Sequence, residues 1–335
     1  MSKIPNSLMA TSRLKVPAPY LYVAIGAASL DLFGRGYSAA PCPETHDYDS
    51  SLYMSQILLC LQSSPISWSP FTIVGYSLGG ALGADFTSYF PALIKGLVLV
   101  APGGLIRDKH ISFSSKLLYQ TPSLLPETLV EKLVAKRLWT GSKPTSNSNN
   151  NNAVEPQPGS VENAETTTTT TTTTARPSSS SSSKDKSTNA AVYLSSTHLL
   201  LPHNPASTVS AVVDWQLTHH AGFVPAFIST IRHAPIHNQH ARWRAIREHI
   251  EKKNTELKRV WMVLGETDPI IIADELLEDA VGVLGEEIAR WRVLEGVGHE
   301  VGVENADDIV DVVVRKVLGK KVKSTRAGRA RSHHG

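Results

Sequence analysis

Ser77 is the residue from which an activity can be argued. It sits in Gly75-Tyr76-Ser77-Leu78-Gly79-Gly80, a Gly-x-Ser-x-Gly pattern. By chance that pattern turns up in roughly one chain of this length in ten, given the usual abundance of Gly and Ser. Its surroundings make it specific. An apolar run, Phe71–Val74, enters it, and an amphipathic stretch, Leu78–Tyr89, leaves it. A strand–turn–helix of this kind pushes the serine hydroxyl out at the strand's end, and the helix N-terminus favours negative charge there. A serine hydroxyl is a weak nucleophile. It needs a base, and the base needs a carboxylate to orient it. Asp268 and His299 each follow an apolar segment by a few residues, Val260–Leu264 and Arg290–Leu294 respectively. In an open α/β sheet all three would lie just beyond the carboxyl ends of strands. Glu266 and Asp274 are alternative acids flanking Asp268, and Glu300, beside His299, is expected to be solvated.

Those three residues need a scaffold, and the hydrophobic pattern supplies one. Phe71–Val74, Gly96–Val100, Val260–Leu264 and Arg290–Leu294 read as short buried parallel strands, with Tyr20–Ile25 as a further candidate. Helical patterns occupy Leu52–Leu61, Leu78–Tyr89 and Ala273–Val283. Near the end, Asn305 can cap a helix whose Ile309, Val310, Val313, Val314 and Val317 form one stripe. This alternation predicts the α/β class: a doubly wound, mostly parallel sheet with helices on both faces. Residues 105–257 break the alternation and read as a helical cap. Inside the cap, residues 142–189 hold an Asn run, nine consecutive Thr and six consecutive Ser, with no aromatics. Such a stretch cannot bury enough apolar surface to offset its ordering entropy, so a disordered insertion is expected. The division is therefore 1–104 and 258–319 for the two parts of the core, 105–257 for the cap, and 320–335 for a basic tail.

Composition narrows the function classes. The chain has 335 residues, 41% of them hydrophobic, which suffices for a sizeable core. No apolar run reaches the ~18 residues of a membrane-spanning helix. Cys42 and Cys60 cannot form a disulfide framework and lack metal-type spacing, so a reducing, cytoplasmic site is expected, with peripheral membrane association left open. The formal charge of +3 comes from the tail, whose six basic residues leave 27 basic against 30 acidic residues in the body. Nucleic acid is therefore not an expected partner, and a small-molecule substrate is. His219, His220, His233, His237 and His240 cluster without a metal-binding signature, so no metal is expected. Neither a Gly-x-Gly-x-x-Gly nor a Walker motif implies a cofactor. Arg35 is read as a structural salt bridge rather than a phosphate clamp, and Cys60 as core. The run Leu21–Leu30 has the look of a signal-peptide apolar region, but a serine motif only some fifty residues later argues against secretion. Phe223, Phe227 and Trp243 are expected either in the cap's core or on the wall of a substrate pocket. Oligomeric state is not legible.

Four ordered stretches resemble the α/β-hydrolase fold superfamily, in particular cap-bearing serine hydrolases of fungal type. Asp31–Pro41 looks like its Asp-x-x-Gly-x-Gly-x-Ser turn. Gly75–Gly80 resembles its nucleophile turn, Gly265–Ile270 its acid-bearing segment and Gly296–Val301 its histidine-bearing one. The order Ser77, Asp268, His299 is that of the family. The resemblance implies Ser77 as nucleophile, His299 as general base and then acid, Asp268 as orienter, and the Leu78 N–H as an oxyanion donor. Tyr76, Phe223, Phe227 and Trp243 would line the substrate. The implied activity is hydrolysis of a small to medium apolar ester through an acyl-enzyme, with monoacylglycerol or C–C bond cleavage as variants. One departure bears on activity. The family's His-Gly loop, which supplies a second oxyanion donor, has no counterpart in the thirty residues before Asp31, although Gly26-Ala27-Ala28 offers backbone N–H groups nearby. The corresponding expectation is a core missing part of its N-terminal strands. The alternative function is then an impaired hydrolase-like protein, or a truncated product, with a binding role.

Overall fold

The computed structural model describes residues 29–65, 67–110, 115, 118–120, 123–140, 198–201, 203–204 and 206–320, and the backbone of 23–25. The expected insertion 142–189, the loop Gly26-Ala27-Ala28 and most of the tail lie outside the described residues.

Among the described residues five strands form one sheet in the order β1 (Val23–Ile25), β2 (Phe71–Tyr76), β3 (Ile94–Val100), β4 (Val260–Gly265) and β5 (Ala289–Leu294). β2 to β5 are parallel, and β1 runs antiparallel to β2 at the edge. Val74 pairs with Val98, Leu99 with Met262, and Met262 with Trp291. The central strands are apolar almost throughout because both of their faces are covered. On one face Gly83 lies against Ile73, Leu97 and Leu99, so α2 (Leu78–Tyr89) sits close to the sheet. On the other face Gly96 meets Val317 of the C-terminal turn Val312–Val317. Glycine at both positions lets an element approach the sheet without a side chain between.

α1 (Ser50–Ser63) is started by Asp49, whose side chain accepts from the Leu52 N–H, and it packs on α2. The stretch 105–257 divides in space. α3 (Glu127–Leu138), α4 (Val209–His219) and α5 (Phe223–His233) pack on one another. Val130, Val134 and Ile228 form their own small core. α6 (His240–Glu251) instead packs on α2 and on α7 (Ala273–Leu284), and its Trp243, 1% exposed, belongs to the main core. The described residues close with α8 (Val301–Glu304) and α9 (Ala306–Asp311), which runs into the π-helical turn Val312–Val317. Among the described residues no helix is long and apolar enough to cross a membrane.

Candidate active site

Ser77 occupies the one-residue junction between β2 and α2. Its backbone has φ +54° and ψ −117°, in the left-handed half of the map that a residue with a Cβ adopts only when its surroundings impose it. The surroundings are visible. The Ser77 N–H donates to the Val100 carbonyl at 2.9 Å, tying the junction to the end of β3. The Ser77 carbonyl accepts from the Gly80 N–H at 2.9 Å and the Gly103 N–H at 3.0 Å. A methyl group at Gly75 would run into the Gly79 carbonyl, and one at Gly80 into Pro102. The sharp turn therefore needs those glycines as much as it needs the serine.

The loops after β4 and β5 bring the other two residues to the same end of the sheet. Asp268 and His299 are 4% and 3% exposed. Asp268 Oδ1 accepts from the backbone N–H groups of Ile270 and Ile271 at 2.8 and 2.9 Å, which fixes the carboxyl group. Its Oδ2 lies 2.7 Å from His299 Nδ1. With that oxygen accepting, Nδ1 carries the proton and Nε2 presents a lone pair. His299 Nε2 lies 3.0 Å from Ser77 Oγ. Burial pulls the His299 pKa down, but the hydrogen bond and charge of Asp268, joined by Glu300 once that carboxyl is ionised, more than reverse it, leaving it above 6.5. A hydroxyl, an imidazole and a carboxyl group thus stand in one hydrogen-bonded line, an arrangement able to activate the hydroxyl as a nucleophile. Leu78 opens α2, so its N–H, next to the hydroxyl, is one of those a helix leaves without an intrahelical partner.

The remaining sequence expectations fall as follows. Glu266 accepts from the Gly296 N–H at 2.8 Å and braces the two loops against each other; Asp274 is exposed in the first turn of α7. Glu300, expected in solvent, is only 2% exposed, because the turn into α8 folds it inward onto Tyr76. Tyr76 is itself buried. Its ring centroid is 5.6 Å from that of His299, and its hydroxyl lies 2.8 Å from the His299 carbonyl and 3.1 Å from Glu300 Oε2. These contacts were missed from sequence. Their signal was adjacency: a tyrosine just before the nucleophile and an acid just after the base.

Arg35 is also corrected. It is buried, but no carboxylate lies within ion-pair distance of it among the described residues. Its guanidinium donates to the Gly34 carbonyl and to Thr230 Oγ1, and stands 5.3 Å from the Phe223 ring and 5.6 Å from Phe227. Burial lowers its pKa against the opposing influence of Tyr53 and Tyr48. Phe223 and Phe227 thus pack on a core arginine, joining α5 to the turn that begins at Asp31. The histidines of the cap region separate: His219 stacks on Trp215, His220 lies 3.1 Å from the Ser38 carbonyl, and His233 and His240 face Asp47 and Asp279.

Comparison with known proteins gives the following. A family model described as the alpha/beta hydrolase family matches residues 12–312. An uncharacterized protein of Mycobacterium tuberculosis and one of Mycobacterium bovis are each 32% identical over 122 residues, covering 33% of this chain and 34% of theirs. The chain thus matches about a third of the length of these curated relatives. Among solved structures, a candidate lipase from Acinetobacter baumannii has a TM-score of 0.49 at 16% identity, over 86% of this chain and 73% of its own. A meta-cleavage product hydrolase from Pseudomonas fluorescens has a TM-score of 0.44 at 13% identity, over 86% and 78%.

Proposed function

Because the chain belongs to the alpha/beta hydrolase family, we propose that it is a serine hydrolase cleaving a small to medium-sized, largely apolar carboxylic ester. The observation that carries this reading is the line Ser77 Oγ, His299 Nε2 and Nδ1, Asp268 Oδ2, with separations of 3.0 and 2.7 Å. Ser77 Oγ attacks the ester carbonyl as His299 Nε2 takes its proton. The carbonyl oxygen becomes an oxyanion that the Leu78 N–H, at the start of α2, would receive. The tetrahedral intermediate collapses, the C–O bond to the alcohol breaks, and His299 returns the proton to the leaving oxygen. Water, deprotonated by His299, then attacks the acyl-enzyme; the bond to Ser77 Oγ breaks, His299 returns the proton to Oγ, and the acid leaves. Asp268 holds the imidazole in the required tautomer and favours its charged form between the two transfers. No cofactor enters these steps. Both cysteines are unpaired, which suits a reducing compartment and a cytoplasmic site.

The test is labelling of the purified full-length protein with a fluorophosphonate probe, alongside Ser77→Ala and His299→Ala. The expected outcome is labelling of the parent protein, none of Ser77→Ala, and hydrolysis of a p-nitrophenyl ester that follows the same order. A cooperatively folded parent protein that neither labels nor cleaves the ester would overturn the proposal.

A further inference from the structure

Glu300 is a buried acid for which the steps above find no use. The described groups facing it come from each element packed around it. Tyr76 is at the end of β2. His299, with Asp268 behind it, is in the preceding loop. Glu304 is on α8 and is paired at 2.7 Å with His198. No cation stands within ion-pair distance of Glu300 among the described residues.

The hydrogen bonds around Tyr76 constrain where protons can be. Among the described residues the Tyr76 hydroxyl, with its one proton, meets two oxygens, the His299 carbonyl at 2.8 Å and Glu300 Oε2 at 3.1 Å. A carbonyl has no proton to give, so the phenol proton belongs with it, at the shorter contact. The phenol oxygen then faces Glu300 with a lone pair. A carboxylate there would set lone pair against lone pair in a buried place, whereas a protonated carboxyl donates a hydrogen bond. We propose that Glu300 is a positioning residue that acts as a neutral acid, donating to Tyr76, which in turn donates to the His299 carbonyl. Burial agrees with this: it pushes the Glu300 carboxyl upward, and the opposing charges of His299 and His198 do not restore it.

The connection has a mechanical sense. Tyr76 precedes the nucleophile and Glu300 follows the base. Two neighbouring pairs are therefore joined twice: once through Ser77 Oγ and His299 Nε2, and once through the tyrosine to the histidine's own carbonyl. The second join persists while the first breaks and re-forms during turnover, and it holds the imidazole at the distance that proton transfer requires. Glu300 touches no reacting atom in this role.

The role in turnover rests on the serine-hydrolase reading; the protonation state does not. The experiment compares Glu300→Gln, Glu300→Ala and Tyr76→Phe in the full-length protein. The readouts are kcat and KM on a p-nitrophenyl ester, fluorophosphonate labelling rate, and the titration of His299 followed by NMR of ¹⁵N-labelled histidine. Tyr76→Phe and Glu300→Ala are expected to lower kcat about tenfold or more at nearly constant KM. Glu300→Gln, whose amide N–H can still donate to the phenol oxygen, should rescue the rate to within about threefold of the parent. Its His299 titration should stay within about half a unit of the parent's below the range where Glu300 ionises, since one neutral group replaces another. A downward shift of His299 in Glu300→Gln at low pH, or a loss equal to that of Glu300→Ala, would show a working carboxylate and overturn the proposal. An unchanged kcat in Tyr76→Phe would overturn the relay. If Glu300→Ala fails to fold, the Gln variant and the tyrosine variant still decide. If no protein labels or turns over ester, the hydrolase reading falls, and the titration alone judges the protonation of Glu300.

Discussion

In the proposed reaction His299 must be neutral to take a proton from Ser77, and its neighbours keep it charged to higher pH than usual. Burial works against the charge, but Asp268, joined by Glu300 once that carboxyl is ionised, outweighs it, so the folded value lies above 6.5. The expected kcat/KM therefore rises with pH through an inflection above 6.5. The stability consequence has a definite sign. A histidine whose folded pKa exceeds its unfolded value contributes fully below about 6.5, and that contribution disappears as pH rises through the folded value. Asp268→Asn should move the inflection down and lower the rate on the order of 10⁴-fold, because the imidazole loses both its partner and its tautomer. A pH–rate profile of both proteins checks this, and an inflection that stays put in Asp268→Asn would remove Asp268 from its role. Glu300 obeys the same sign rule for a different reason. Its raised pKa means that the neutral form suits the fold, so stability declines as pH climbs through that value. Thermal unfolding at about pH 5 and about pH 9 should show Glu300→Gln gaining on the parent protein at the higher pH. At this scale the three triad candidates were legible in the sequence, because each sits in a short motif just beyond an apolar strand segment. The burial of Glu300 was not, because nothing in its own neighbourhood of the chain says which way a residue beside the histidine turns.

The junction of β2 and α2 and the helix α6 differ in how they tolerate change. At the junction the obstacle is backbone: a methyl group at Gly75 meets the Gly79 carbonyl, which cannot rotate away as a side chain can. Gly75→Ala should cost about 1–3 kcal/mol, as overpacking does elsewhere. Activity should drop further than stability implies, because the turn that displays Ser77 would open. Urea unfolding beside ester turnover separates the two. In α6 the question is what Trp243 does. It is 1% exposed and packs in the main core beneath Gly104, with which its indole is in close contact. Trp243→Ala should destabilise by about 3–5 kcal/mol. Short-chain ester KM in the surviving folded protein should stay near the parent value, whereas a large rise in KM with little loss of stability would restore Trp243 to the substrate wall. The strand segments were recognisable as four short apolar runs. That α6 leaves the other cap helices and joins the core was not, because amphipathic helices in both places show the same 3.6-residue stripe.

The long polar insertion poses a question for the whole molecule. Its two flanks meet on one helix. Thr140 hydrogen-bonds Asp214 of α4 through its N–H at 2.9 Å and its hydroxyl at 2.7 Å, and Leu199 bridges to Thr208, the residue that caps α4. An element whose ends are both held on the same helix can be shortened without moving anything else, and loop length by itself carries only a weak entropic cost. Replacing 142–189 by a short Gly-Ser linker should leave ester kcat/KM and melting temperature unchanged. A large loss of either would assign the segment a part in the fold or the site. The cap is held more firmly elsewhere. Thr230 of α5 meets both Arg35 and Tyr53, and Ser229 Oγ accepts from the Tyr48 N–H at 3.0 Å.

The sequence by itself determined the α/β class, the family, the four parallel strand segments and the three triad candidates. These are local properties. A strand is an apolar run of the right length, a tight turn needs glycine at set positions, and the order of the motifs survives any packing. Tertiary structure alone decided what lies between the motifs: an arginine held by aromatic rings instead of a carboxylate, a tryptophan in the core, and a tyrosine–glutamate pair behind the histidine. Each of these depends on which distant segments touch, and a contact across two hundred residues leaves no period or spacing in the chain that makes it.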